Sequence, residues 1–210
     1  MVRSKTSVFD PLSKDRRFLP FIVRSFYFVR IRLRLSQDVR IFFTQRDERM
    51  VELNQVTIYT DGGSLGNPGP GGWGAVLKYG EHRKELSGGF RHTTNNRMEI
   101  TAAIEGLKAL KEPCKVKVYS DSQYLVNAIM KGWAEKWQAN RWMRNKKEKA
   151  LNPDLWEVLL ELCDEHEVEF IWVKGHAGIP ENERCDVMSK SAASRNDLPA
   201  DTVYERECGK

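Results

Sequence analysis

The sequence predicts an α/β domain in which helices flank a five-stranded mixed sheet. Three strand-like segments come first, and Gly80-Glu81 joins the second to the third as in a hairpin. Segments whose apolar residues recur at helical spacing then alternate with two further strands. A meander followed by alternating helices and strands is typical of a sheet with both antiparallel and parallel pairs.

The first half of this domain contains three strands and a long helix. Residues 55–59 alternate polar and apolar side chains, and the glycine-rich stretch 67–72 that follows predicts a turn. Further strands are predicted at 73–79 and 83–90 because both segments are rich in apolar or alternating residues. Residues 96–110 carry apolar side chains at helical spacing, which predicts a helix.

The second half of the domain alternates between predicted strands and predicted helices. Residues 115–120 read Lys-Val-Lys-Val-Tyr-Ser and predict a strand, which a short helix at 122–130 follows. An amphipathic helix at 154–163 comes after an Asn-Pro pair, and a strand is predicted at 168–173. The closing helix is predicted at 180–195, because a proline suits its first turn.

Composition excludes several classes of protein. The chain has 210 residues, of which 40% are hydrophobic and 30% charged, so it has enough apolar surface to bury a core. No apolar stretch reaches the ~18 residues of a membrane-spanning helix. Four cysteines without a CxxC pair argue against a disulfide scaffold and a zinc site. We therefore expect a cytoplasmic protein that does not enter a membrane.

Charge divides the chain near residue 50. Residues 1–50 carry 12 Lys+Arg against 5 Asp+Glu, a net charge of +7, whereas residues 51–210 carry 22 against 24, a net charge of −2. The first segment is interpreted as a basic N-terminal extension that is either poorly ordered or absent from the mature protein. The main domain is predicted to span 51–205, and 206–210 is interpreted as a C-terminal tail.

Four acids occupy positions that suggest a metal site. Asp61 and Asp121 each follow a predicted strand, Glu99 lies in the first turn of the long helix, and Asp186 lies in the closing helix. Ligands gather at the carboxyl ends of strands in α/β sheets, so Asp61 and Asp121 lie side by side if their strands are parallel neighbours. Crowded carboxylates repel one another without a cation. Oxygen ligands select Mg²⁺ or Mn²⁺, and two such ions ~4 Å apart can clamp a phosphodiester.

Each of these acids also has a purely structural interpretation. Asp61, before two glycines, suits an ordinary turn. Glu99 suits a capping box with Asn96, and Asp121 suits an N-cap of the following helix. Asp186 suits a solvated helix surface. Taken one by one, the acids therefore leave the question open.

The order of several short motifs carries more information than any single acid. The motifs are, in order, Thr60-Asp61-Gly62-Gly63, Gly66-Asn67-Pro68-Gly69-Pro70-Gly71-Gly72, Thr93-Thr94-Asn95-Asn96-Arg97-Met98-Glu99, Ser120-Asp121-Ser122-Gln123-Tyr124, Val173-Lys174-Gly175-His176-Ala177-Gly178 and Pro180-Glu181-Asn182-Glu183-Arg184-Cys185-Asp186. Together they closely resemble bacterial ribonuclease H of type 1 over about residues 50–205.

That resemblance implies a ribonuclease H-like fold and cleavage of the RNA strand of an RNA–DNA hybrid. It also implies two Mg²⁺ ions during catalysis, with Mn²⁺ as an alternative, and products with 5′-phosphate and 3′-hydroxyl ends. It assigns metal binding to Asp61, Glu99, Asp121 and Asp186. It links His176 to proton handling and product departure, a role that suits a side chain titrating near neutrality.

Candidate substrate contacts fall into two sets. Asn67, Asn95, Asn96 and Gln123 are short amides suited to the 2′-hydroxyls that distinguish RNA from DNA, and equally to turns and caps. Residues 131–149 hold seven Lys+Arg against two Asp+Glu, with three tryptophans interleaved. The resemblance implies that this stretch is a basic protrusion that grips the DNA strand. Its predicted contacts are Trp133, Lys146 and Lys147.

Arg97 and Glu183 are further candidates for a role near the site. Arg97 is interpreted either as a phosphate contact or as an ordinary surface arginine, and Glu183 as a possible hydrogen-bond partner of a metal-bound water. No dimerisation pattern is evident, so a monomer with a hybrid duplex as its partner is expected.

Two rival functions are a non-catalytic hybrid-binding module and a junction resolvase. The four intact acids oppose the first, and the basic protrusion with its asparagine loops opposes the second.

Overall fold

The computed structural model describes residues 53–208, which form one five-stranded sheet and six helices. The predicted N-terminal extension, 1–50, lies outside the described residues. The strands are β1 (Asn54–Ser64), β2 (Gly69–Tyr79), β3 (His82–Thr93), β4 (Cys114–Ser120) and β5 (Glu167–Trp172). The helices are α1 (Asn95–Lys108), α2 (Gln123–Met130), α3 (Trp133–Ala139), α4 (Pro153–Glu165), α5 (Pro180–Ala193) and α6 (Thr202–Cys208).

The sheet has the mixed topology that the order of elements predicts. Its strands lie in the order β3-β2-β1-β4-β5. The pairs β1·β2 and β2·β3 are antiparallel, whereas β1·β4 and β4·β5 are parallel. The predicted α/β class and five-stranded mixed sheet are therefore confirmed.

The turn predicted at 67–72 is wrong over its second half, because β2 already begins at Gly69. Its glycines serve close packing of α5 on the sheet. A Cβ atom on Gly72 would lie 2.1 Å from the carbonyl oxygen of Ser189, and one on Gly74 would lie 2.6 Å from that of Cys185. Glycine inside a strand often marks such a close approach of another backbone.

The long helix α1 packs on the sheet through the predicted apolar face. Ile100, Ala103, Ile104 and Leu107 are at most 2% exposed and join the main core cluster. That cluster also contains Trp156 of α4, which is fully buried. Since α1 is fixed on both sides, its first turn is held firmly against the edge of the sheet where the candidate acids lie.

The predicted capping box of Asn96 and Glu99 does not form. The helix begins one residue earlier, and Thr94 is its N-cap, with a side-chain oxygen that accepts a hydrogen bond from the Arg97 N–H at 3.4 Å. A Thr hydroxyl satisfies the free N–H groups of a first turn as well as an Asn side chain does. Glu99 is therefore left without a capping role.

The helix α6 was not predicted from the sequence. It runs past residue 205, the predicted end of the domain, as far as Cys208. Asp201 precedes this helix and accepts a hydrogen bond from the Tyr204 N–H at 3.3 Å. An aspartate immediately before a short helical stretch was the available signal, since Asp is a preferred N-cap residue.

No helix within residues 53–208 is both long and apolar enough to cross a lipid bilayer.

Candidate active site

Three of the four predicted acids converge at one edge of the sheet. Asp61, Glu99 and Asp121 each offer a carboxylate oxygen, and these oxygens lie within 4.8 Å of one another. Asp61 is 8% exposed, while the other two are half-buried. Three acids from β1, α1 and the end of β4 thus face a common point.

The register of the parallel pair β1·β4 explains how the two aspartates meet. The last paired residues are Thr60 and Ser120, and Asp61 and Asp121 come directly after them. Asp61 does not end its strand, as the sequence suggested, because β1 continues along β2 to Ser64. It nevertheless stands at the end of the parallel ladder, which is the feature that brings the carboxylates together.

Asp121 is not the cap of the following helix. Ser122 is the N-cap of α2, and its side-chain oxygen accepts a hydrogen bond from the Leu125 N–H at 3.3 Å. The capping role that offered an alternative explanation of Asp121 is therefore taken by its neighbour.

Glu99 approaches the cluster because Gly62 has no side chain. A Cβ atom on Gly62 would lie 2.4 Å from the backbone nitrogen of Glu99. Within the described residues, the buried Oε2 atom of Glu99 has no hydrogen-bond partner. An unpartnered buried carboxylate oxygen is costly, so this atom points to a cation as its natural partner.

Burial and mutual repulsion make the acids reluctant to ionise without a cation. Desolvation raises the pKa of Asp61 to about 6, with added repulsion from Asp121 and Asp186, although a hydrogen bond from Ser189 opposes the change. Desolvation, and then the charges of Asp61 and Asp121, hold the pKa of Glu99 well above its usual value. Oxygen-only donors that share too much negative charge fit a hard divalent cation.

Asp186 lies beside this cluster but is not within its tight group of three. It lines the same cavity of about 310 Å³ as Asp61 and Glu99. Its Oδ2 atom accepts a hydrogen bond from the Lys190 ammonium at 2.8 Å, one helical turn along α5. The fourth predicted ligand is thus close to the site and is held by an ion pair.

The predicted loop histidine lies between β5 and α5. His176 is exposed and adopts a left-handed backbone conformation with φ of 52°. The preceding Gly175 lets the loop pass the cluster, since a Cβ atom there would lie 2.7 Å from Oδ2 of Asp121. Glu183 accepts a hydrogen bond from the Gly178 N–H at 3.1 Å, so it closes this loop.

Two of the predicted amides hold the neighbouring loop to α1. Asn67 Oδ1 accepts a hydrogen bond from the Asn95 N–H at 3.3 Å, and Asn95 Oδ1 accepts one from the Ser64 N–H at 2.7 Å. Asn96 and Gln123 are exposed in the first turns of α1 and α2. The turn chemistry foreseen for Asn67 and Asn95 is therefore present, at the rim of the acidic cavity.

The basic stretch forms a separate surface that is anchored by tryptophans. Trp137 packs edge-on against the buried Trp156, with ring centroids 6.1 Å apart. Trp133 is 37% exposed and carries the Lys131 ammonium 5.1 Å from its ring centroid. Predicted contacts Lys146 and Lys147 are both exposed. Trp133 and Trp137 both lie on α3, one helical turn apart.

Both interpretations of Arg97 are wrong, because its side chain is buried and fully paired. It is 2% exposed and donates hydrogen bonds to both oxygens of Asp154 and to both oxygens of Asp201. Burial alone would lower the pKa of Arg97, but the two carboxylates outweigh it and raise the pKa. The residue ties α1 to α4 and to the segment before α6.

Sequence reasoning missed three polar residues of α5 that surround the site. Ser189 donates a hydrogen bond to Asp61, and Lys190 pairs with Asp186. Asn182 is 3% exposed, and its Nδ2 atom lies 3.5 Å from Oδ2 of Asp121. Only their helical spacing from Asp186 was available as a signal, and that spacing does not show which face of α5 meets the sheet.

Known proteins resemble the described domain over most of its length. The sequence model of the family RNase H matches residues 53–194. Ribonuclease H of Syntrophus aciditrophicus (strain SB) is 72% identical over 150 residues, which are 71% of this chain and 87% of the relative. Ribonuclease HI of Synechocystis sp. (strain ATCC 27184 / PCC 6803 / Kazusa) is 59% identical over 144 residues, 68% of this chain and 90% of the relative.

One solved structure with a similar fold was determined with a nucleic acid bound to it. The crystal structure of LC11-RNase H1 in complex with RNA/DNA hybrid matches with a TM-score of 0.51 and 26% identity, covering 66% of this chain and 96% of that chain.

Proposed function

The chain belongs to the ribonuclease H family, and we propose that its acidic cluster is the centre at which this endoribonuclease hydrolyses the RNA strand of RNA–DNA hybrids. The observation that carries the assignment is the convergence of Asp61, Glu99 and Asp121, with an unpartnered buried oxygen on Glu99. A purely structural role would leave such a cluster destabilising, since the Lys190 ammonium that lines its cavity is paired with Asp186 and not with the three converging acids.

The metal is proposed to be Mg²⁺, with Mn²⁺ as an alternative, and two ions are proposed to act during catalysis. Asp61, Glu99 and Asp121 would hold a cation directly, because their oxygens already face one point. Asp186 lines the same cavity and would complete the set after release from Lys190. When bound, such cations neutralise the scissile phosphate and activate water for attack on it.

A histidine side chain is proposed to handle the proton of the leaving group. We assign proton transfer to His176, which is exposed and follows Gly175, the residue at which the loop passes Asp121; a protonated imidazole would give a proton to the departing 3′ oxygen. The expected products carry 5′-phosphate and 3′-hydroxyl ends. Placement and charge neutralisation supply most of the rate enhancement for phosphodiester hydrolysis.

Recognition of the hybrid is proposed to use two surfaces. Asn95 lines the acidic cavity and is hydrogen-bonded to Asn67, while Asn96 and Gln123 are exposed at the starts of α1 and α2. All four would contact sugars and base edges of the RNA strand. On the protrusion, the exposed Trp133, Lys146 and Lys147 would contact the backbone of the DNA strand without reading its sequence.

The compartment and the assembly state are also proposals. All four cysteines are free thiols, as expected for a reducing cytoplasm. We propose a monomer, which light scattering of the purified protein at several concentrations would test. A concentration-independent mass of two chains would contradict it.

Cleavage of an end-labelled RNA–DNA hybrid tests the proposed function directly. We expect cuts in the RNA strand only, in the presence of Mg²⁺ and not of EDTA, and new fragments that a ligase requiring 5′-phosphate accepts. A protein that shifts the hybrid but leaves it whole would be a binding module instead. Cleavage of duplex DNA as fast as the hybrid would favour the junction resolvase.

A further inference from the structure

A serine on α5 is hydrogen-bonded to the most buried acid of the cluster. Ser189 is 2% exposed, and its Oγ donates to Oδ2 of Asp61 at 2.8 Å. The same Oγ lies 3.0 Å from the backbone oxygen of Asp186. A serine within a helix usually donates to a carbonyl of the preceding turn. Here the carboxylate is the shorter of its two acceptors.

Packing of α5 on the sheet holds this hydroxyl in reach of β1. The helix lies against Gly72 and Gly74 of β2, where any side chain would collide with the carbonyl oxygens of Ser189 and Cys185. β2 is the antiparallel neighbour of β1, and Asp61 pairs with Gly74 in the register. Backbone contact therefore fixes how closely α5 approaches the sheet beside Asp61, and the two short side chains of Ser189 and Asp61 span the remaining distance.

Spacing along the helix links the serine to the fourth acid. Ser189 and Asp186 are three residues apart and so share a face of α5, and both line the cavity with Asp61. One face of α5 therefore carries Asp186, a candidate metal ligand, and also Ser189, which donates a hydrogen bond to Asp61, a second candidate ligand.

We propose that Ser189 is a positioning residue, whose hydroxyl fixes the carboxylate of Asp61 so that its other lone pairs face the divalent cation. This inference rests on the proposed metal-binding role of Asp61. A carboxylate offers about four lone-pair sites, so one hydrogen bond leaves room for a metal. Partners that orient metal ligands typically contribute 10–100-fold to metal affinity.

Calorimetric titration of the full chain with Mg²⁺ tests the proposal without relying on activity. Ser189→Ala should bind Mg²⁺ roughly tenfold more weakly than the unchanged protein. Ser189→Thr keeps the hydroxyl and should restore most of the affinity. Ser191→Ala, an exposed serine on the same helix, is the matched control and should bind as the unchanged protein does.

A double-mutant cycle separates this role from a structural one. In an Asp61→Asn background, Ser189→Ala should cause no further loss of Mg²⁺ affinity, because the hydrogen bond acts through Asp61. Equal losses in both backgrounds, or wild-type affinity in Ser189→Ala, would overturn the proposal. If Asp61→Asn itself left Mg²⁺ binding unchanged, the proposed metal centre would fail, and that result is distinct from a failure of Ser189 alone.

Discussion

Two groups of charged residues lie on opposite sides of α1 near its N-terminus, and only one of them contains a balancing cation. Arg97 and Glu99 are two residues apart, so their side chains leave the helix on different sides. Arg97 meets Asp154 and Asp201, with ion-pair distances of 2.8 and 2.6 Å. Glu99 meets two further carboxylates and keeps a buried oxygen without a partner.

The paired group has further partners beyond its two ion pairs. Thr93 donates a hydrogen bond to Asp201 at 2.8 Å, and the ring of Tyr204 lies 5.7 Å from the guanidinium carbon of Arg97. Buried charges are tolerated when each is paired and hydrogen-bonded. The paired group therefore holds the C-terminal segment to the domain, whereas the acidic group is suited to accept a cation from solution.

Asp61→Asn should cause the largest loss of function. Removal of one carboxylate from the cluster weakens cation binding, and cleavage of the hybrid should fall at least about a thousandfold, which corresponds to ~4 kcal/mol. Hybrid binding in a filter assay should survive, as should thermal stability in EDTA. Asp164→Asn, an exposed acid on α4, is the control. Turnover at the wild-type rate would defeat the assignment of the metal centre.

Asp201→Ala should instead cause the largest loss of stability. It leaves the buried Arg97 with one carboxylate where it had two, and breaking a buried pair costs about 3–5 kcal/mol of the free energy of unfolding. Denaturation by urea measures this cost. The control is Asp197→Ala, which removes an exposed acid nearby. A loss no larger than that of the control would mean that the paired group does not hold the C-terminal segment.

His176→Ala should slow cleavage without unfolding the protein. Proton transfer by a positioned side chain typically contributes 10²–10⁴-fold, and we expect a loss of roughly a hundredfold. The side chain is exposed, so the melting temperature should not change. His82→Ala, an exposed histidine on β3, should affect neither quantity. Complete loss of activity would show that the histidine has a different role.

The stability of the metal-free protein should reveal the raised pKa of Asp61. The folded pKa of about 6 lies above the ordinary value of 3.8, so protonated Asp61 stabilises the fold below about pH 4. That contribution is lost as the pH rises through about 6. Melting curves in EDTA should therefore show a smaller decline over this range for Asp61→Asn than for the unchanged protein. Identical slopes would mean that the carboxyl titrates normally.

The smallest effect is expected from the exposed charges of the protrusion. Alanine at Lys146, Lys147 and Lys149 should weaken hybrid binding modestly and reduce its dependence on salt, because fewer counterions are released. Equilibrium binding at several salt concentrations measures the slope. Lys84→Ala on β3 is the control. An unchanged slope would remove the protrusion from the substrate surface.

The sequence predicted the sheet and the meeting of its aspartates for a local reason. Alternation identified β1 and β4, and Asp61 and Asp121 were expected to be neighbours if these strands were parallel and adjacent, which they are. Glycine gave a less reliable signal. Gly72 was taken as part of a turn, but its lack of a side chain admits α5, a contact between residues far apart in the chain.

The fate of Arg97 shows the same limit. Sequence pattern placed Arg97 on α1 near the acids. Its burial and its ion pairs, however, depend on α4 and on Asp201, which is 104 residues away in the sequence. No local pattern reports such a partner. Ser189 was missed for the same reason, because its acceptor on β1 is 128 residues away.

By itself, the chain's order of residues determined the element types and the mixed sheet, since periodicity is a local property. The four candidate acids were assigned through the resemblance of the chain's motifs to a known family. Tertiary structure alone decided which charges are balanced. The Arg97 guanidinium pairs with two carboxylates, whereas the Glu99 carboxylate lies beside two other carboxylates, although the two residues are only two positions apart on α1. Charge balance depends on distances across the folded molecule, and those distances are set when α4, α5 and α6 pack against the sheet and α1.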